Sequence, residues 1–174
     1  MTDVDPARRA LDIEEIKQLK ARYFRFIDTK QWRRLRGLFT DDAAFEGLWA
    51  GGESPDEFVA SLSRNLTEVT SVHHGHMPEI VITGPDTARG IWAMQDYLEW
   101  EPGTRGYLGV KIPGQRGVFG YGHYEEEYRR EGGEWKISFL RLTRLRIDPI
   151  IGDRPPQLGG WLPSSKQDWL QTDR

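Results

Sequence analysis

The chain has 174 residues and no cysteine. That length suits one domain with a core of its own, and the missing thiols exclude disulfides, thiolate nucleophiles and cysteine-bound zinc. The formal net charge of −3, with acids and bases interspersed, excludes the concentrated basic surface that nucleic acid demands. Seven Trp, seven Phe and six Tyr are enough to fill a core and still line a pocket for a ring-shaped ligand.

Residues 1–11 read as a loose tail. Met1–Arg9 is polar and lacks the apolar stretch of a signal peptide, and no later run reaches membrane-spanning length, so a cytoplasmic protein is expected. Asp12 with Glu15 resembles a capping box, and Ile13, Ile16, Leu19, Tyr23, Phe26 and Ile27 continue at helical spacing to about Asp28. A second short helix is expected to carry Trp32, Leu35, Leu38 and Phe39. Its Arg33, Arg34, Arg36 run reads as a solvated face or a subunit contact. Ser54-Pro55-Asp56-Glu57 opens a third helix, to Leu66, with a cap, a first-turn proline and a reciprocal acid.

After Val69 the pattern turns to strands, expected at 71–83, 87–101, 117–130 and 134–148, with Gly84-Pro85-Asp86 and Glu131-Gly132-Gly133 as turns. Between the second and third of these, 105–117 is a glycine-rich loop without the lysine and hydroxyl of a phosphate cradle. Residues 149–174, rich in Pro and Trp, read as an extension packing on the domain or on a neighbouring subunit. Helices first and long antiparallel strands afterwards spell a single α+β domain over 12–148, a curved sheet wrapped around N-terminal helices as a cone with an open mouth.

Several polar residues stand in awkward places. Asp96 shares a strand face with Ala88, Trp92, Met94 and Leu98, where a carboxylate must find a partner; a structural ion pair would serve equally. Asp28 ends a helix, where carbonyls already concentrate negative charge, although a turn-forming Asp is an adequate explanation. Of the four histidines, His73, His74 and His76 cluster, with His74 and His76 on one strand face and His73 on the other. Two converging imidazoles fall short of a catalytic metal's usual three ligands, so no metal is expected, and a histidine suits proton transfer near neutral pH. Tyr23 lies on the apolar helix face, as a core tyrosine also would. Trp92, Met94, Tyr121 and His123 are candidates for the pocket wall.

The blocks DIEEIKQLKARYFRFID, HHGHMPEIVI, TARGIWAMQDYLEW and YRREGGEWKISFLRLTRLRI together resemble the SnoaL-like branch of the nuclear transport factor 2-like superfamily. Within it they are most similar to the bile-acid 7α-dehydratases and more distantly to the scytalone dehydratases. The resemblance spans about residues 12–148. It implies a cone-shaped α+β barrel and places the dehydratase residues on Tyr23, Asp28, His73, Asp96 and Arg144. Spacing alone would allow Arg141 or Arg146 as well; only the resemblance selects Arg144.

The implied chemistry is a cofactor-independent, dehydratase-type elimination on a hydrophobic polycyclic or aromatic small molecule. Asp28 would fix the His73 tautomer, His73 would take a proton, and Tyr23 would hydrogen-bond an enolate or the leaving group. Asp96 and Arg144 would pair, with Arg144 holding a polar or anionic substrate end. Alternatives are a deformylating carbon–carbon lyase on a diaryl substrate, an isomerase working through an enolate, and a non-catalytic module for hydrophobic ligands. A homo-oligomer is expected, a trimer before a dimer, with neither nucleic acid nor membrane as partner.

Overall fold

Asp5 accepts a hydrogen bond from the Ala7 amide at 3.1 Å and Pro6 presets the first turn, so α1 (Pro6–Asp28) begins six residues before the expected start. The computed structural model describes residues 5–47, 54–156 and 170. Asp12 is therefore no cap: it is buried inside α1 and pairs with Arg8 and Arg130, the latter also holding Glu15. The helix stops at Thr29 and Lys30, whose φ of 60° turns the chain out of the helical path.

A five-residue helix, α2 (Trp32–Arg36), follows, and α3 (Pro55–Leu66) runs as expected, with the Ser54 hydroxyl accepting from the Glu57 amide at 3.3 Å. Between them Phe39 opens a strand, β1 (Phe39–Glu46), and does not belong to the second helix as expected. Leu38 and Phe39 fit either element, since a short apolar run carries no decisive period.

The remaining strands are β2 (Thr70–Gly84), β3 (Thr87–Glu99), β4 (Gln115–Glu131) and β5 (Glu134–Ile151), close to the expected spans. They form one sheet in the order β1-β5-β4-β3-β2. It is antiparallel except for β1, which pairs parallel to β5. The sheet is mixed and unclosed, with β1 and β2 as its edges, so the expected α+β cone is present without a closed barrel. The core lies between the inner sheet face and the helices. There Ile16, Leu19, Tyr23 and Ile27 of α1 and Phe58 and Leu62 of α3 meet Leu98, Tyr124, Ile137 and Leu140. The expected extension over 149–174 lies mostly outside the described residues; its first three residues complete β5.

Candidate active site

Strand register builds the site before any side chain is considered. His73 on β2 stands opposite Asp96 on β3, and Asp96 stands opposite Gly120 on β4. The three positions form a row across the inner face. Alternation sends His73 inward and His74 and His76 outward, as the sequence suggested, and Asp96 is only 2% exposed.

Asp28 reaches His73 from the end of α1. Its Oδ1 lies 2.6 Å from His73 Nδ1 and accepts from Ser71 Oγ at 2.9 Å, while Oδ2 accepts from the His73 amide at 2.7 Å. Three donors thus offset the unfavourable position of a carboxylate at a helix C-terminus. Lys30 extends the chain, donating to Ser71 Oγ at 2.6 Å. Burial lowers the lysine to about 8, against the opposing pull of the Asp28 charge. With Nδ1 committed to Asp28, the lone pair free to take a proton is that of Nε2.

Arg144 closes the row from β5. It grips Asp96 at two points, Nη1 to Oδ1 at 3.0 Å and Nη2 to Oδ2 at 2.7 Å. A bulge between Tyr121 and Gly122 of β4 leaves Leu145 without a partner, so Arg144 turns inward while Arg146 turns out to Asp148. Arg141 is spent on Glu125 and Glu46. Gly120 makes room: a Cβ there would overlap both Asp96 Oδ1 and Arg144 Nη1.

Tyr23 looks onto the row from α1, fully buried. Its ring packs edge-on against Tyr124 at 5.9 Å. Burial first, then the Glu126 charge, pushes the Tyr23 phenol well above its ordinary value, so it keeps its proton. Tyr23, His73, Asp96, Tyr124 and Arg144, with Leu66 and Leu98 among the apolar walls, surround a cavity of about 20 Å³.

The pocket-wall candidates divide. Met94 lies on the inner face with its sulfur 3.6 Å from Arg144, and Trp92, also inward, donates its indole N–H to Tyr128 at 2.8 Å. Tyr121 and His123 are a correction. They lie with Phe119 on the outer face, because Gly120, Gly122 and Tyr124 take the alternate, inner positions of β4. Sequence reasoning missed Tyr124, Tyr107, Ser71, Lys30 and Gly120. The glycines at 120 and 122 were the available signal, since glycine inside a strand marks close approach.

The SnoaL-like domain family matches residues 8–141. The chain belongs to the SnoaL-like domain family. This SnoaL-like protein is 28% identical over 145 residues to a protein of Gibberella zeae named as a probable cyclase, FGR4, covering 75% of this chain and 89% of the relative. Among solved structures it resembles a type 2 hexachlorocyclohexane dehydrochlorinase with a TM-score of 0.72 and 20% identity, over 88% of this chain and 100% of the other. A protein of Novosphingobium aromaticivorans named for scytalone dehydratase follows at 0.68 and 16%, over 87% and 96%. These likenesses place the SnoaL-like chain in the nuclear transport factor 2-like cone fold.

Proposed function

We propose that the protein is a cofactor-independent lyase that eliminates water from a hydrophobic polycyclic or aromatic alcohol by acid–base chemistry at His73. The observation that carries this reading is the Asp28–His73 pair at 2.6 Å, set beside a protonated Tyr23 on the inner face of the cone. His73 Nε2 takes a proton from an activated carbon, the electron pair forms the new double bond, and the carbon–oxygen bond breaks. The imidazolium returns that proton to the departing hydroxide, so water leaves. Tyr23, whose burial makes proton loss unfavourable, donates a hydrogen bond to the oxygen that gains charge instead of giving up its proton. Asp28 holds the imidazole with Nδ1–H facing it. Relatives named for cyclase, dehydrochlorinase and dehydratase activities support a small-molecule lyase or isomerase reading.

The test is turnover of hydroxylated aromatic and steroid-like alcohols, followed by the absorbance of the new conjugated bond. His73→Ala is expected to lose about 10²–10⁴-fold in kcat. Asp28→Asn should shift the imidazole tautomer seen by long-range ¹⁵N correlation. A His73→Ala variant with wild-type turnover would remove the reading.

Homo-oligomerisation, as a trimer, belongs to the same proposal. Val81, Ile91, Phe119 and Leu145 are large apolar side chains left exposed on the sheet strands, and association of subunits would cover them. Sedimentation at the monomer mass alone would discard it.

A further inference from the structure

Three half-buried arginines of the sheet each meet a carboxylate: Arg116 meets Glu99, Arg130 meets Asp12 and Arg144 meets Asp96. Arg105 is half-buried as well, yet among the described residues it forms no ion pair. It belongs to the long loop between β3 and β4. Its Nη1 donates to the Asn65 carbonyl at 2.7 Å, which ties that loop to the last turn of α3. A carbonyl is a dipole, so the charge of the guanidinium stays uncompensated and most of its five N–H donors stay available. Beyond Arg105 the loop closes as a hairpin. Tyr107 and Val110 exchange backbone hydrogen bonds, each 3.0 Å, around Leu108 and Gly109, both at positive φ.

The loop and the helix end that Arg105 joins wall one cavity of about 690 Å³, the size of a small-molecule site. Arg64, exposed on the last turn of α3, adds a second cation to the lining, and among the described residues no acid is part of it. Val69, Trp100 and Tyr107 give the same wall its apolar and aromatic surface. The space at His73 is about 20 Å³, room for one water and for no organic substrate. Leu66 and Leu98 line both spaces. Tyr107 lines the larger, and its hydroxyl oxygen accepts at 3.1 Å from Arg144, which lines the smaller.

We propose that the larger cavity binds a ring compound carrying a carboxylate and that Arg105 is the residue that selects its charge. The proposal rests on the acid–base reading of His73 in calling this ligand the substrate, and it names the substrate class for that site. Charge chooses between the two arginines. An anionic end on Arg144, as the resemblance implies, would meet Asp96, which already grips that arginine at two points, as a like charge. Arg105 meets no acid among the described residues. A half-buried cation without a counter-charge is costly, and a carboxylate answers it with the two-point pairing that a guanidinium favours. The ring then lies against Trp100 and Tyr107, with Leu66 and Leu98 as the single layer of side chains between it and the space at His73.

The test titrates the full chain with 2-naphthoate and with 2-naphthamide, probes alike in shape and different in charge, following ¹H–¹⁵N spectra through the Gly106 and Gly109 amides of the cavity wall. Naphthoate is expected to move those signals and to bind about tenfold or more tightly than the amide. Arg105→Gln should bring naphthoate to within about twofold of the amide and leave the amide's own affinity unchanged, which separates lost charge from a loosened loop. Arg105→Lys, which keeps the charge without the fork, should restore part of the preference. Equal binding of the two probes, a preference that survives Arg105→Gln, or no binding of either would overturn the site. So would an amide weakened as much as naphthoate by Arg105→Gln, or a preference no larger in Arg105→Lys than in Arg105→Gln. In His73→Ala the naphthoate affinity should stay within about twofold. This pattern in a protein whose turnover ignores His73 upholds the site while the acid–base reading falls. Its absence in a protein that depends on His73 overturns the site alone.

Discussion

A single missing side chain sets the geometry at the centre of the site. Gly120 lets the Asp96–Arg144 pair lie flat against β4, since any Cβ would occupy the space of both partners. Gly120→Ala should therefore destabilise the fold by about 1–3 kcal/mol, the usual penalty of overpacking. Urea unfolding checks this, and a midpoint matching wild type would contradict the placement. Asp96 was visible in the sequence because a carboxylate on an apolar strand face demands explanation. Its partner was not, because Arg141, Arg144 and Arg146 are equivalent by spacing until a bulge at Leu145 decides which turns inward. Tyr121 and His123 failed for a related reason. A strand's two faces look alike when one alternates glycine with tyrosine and the other carries Phe, Tyr and His.

At the scale of elements, the end of α1 and the start of β2 form one electrostatic unit. Asp28, Ser71, His73 and Lys30 are joined by hydrogen bonds, and Lys30 is held near 8 chiefly by burial, against 10.5 for a free lysine. The sign follows from proton counting. Between pH 8 and 10.5 the unfolded chain binds more protons at this lysine than the folded one, so its contribution to stability rises as the pH increases through that window. Below it the full penalty of burying the charge is present. Urea midpoints at pH 7.5, 8.5 and 9.5 (values chosen around the lysine's lowered value of about 8) should fall behind those of Lys30→Met at the lowest pH and recover towards it at the highest. The opposite slope would contradict the burial. The helices and long strands were legible because caps, turns and periods are local. β1 was not, because its parallel partner β5 lies nearly a hundred residues away in sequence.

Across the whole molecule, a second buried charge pair joins helix to sheet behind the site. Lys20 and Glu126 are completely enclosed, with Tyr128 donating to Glu126 and the lysine lying over the rings of Tyr23 and Tyr124 at 4.0 and 3.7 Å. Removing one partner strands the other, so Lys20→Met should cost about 3–5 kcal/mol, and Lys20→Met with Glu126→Leu should recover much of it. Denaturation of these variants and of Glu126→Leu alone tests this, and a loss in the double equal to the sum of the two singles would show that the charges are uncoupled. The amino-acid order by itself determined the helix-then-strand layout, the inward face of β3 and the split of His73 from His74 and His76. Each of these depends on periods of two or 3.6 residues, or on neighbours a few positions apart. Tertiary structure alone decided the bulge that turns Arg144 inward, the inward tyrosine of β4, the Lys20–Glu126 pair and the seat of Tyr107. These depend on register, a bulge and a loop closing over a cavity, and no local pattern carries that information.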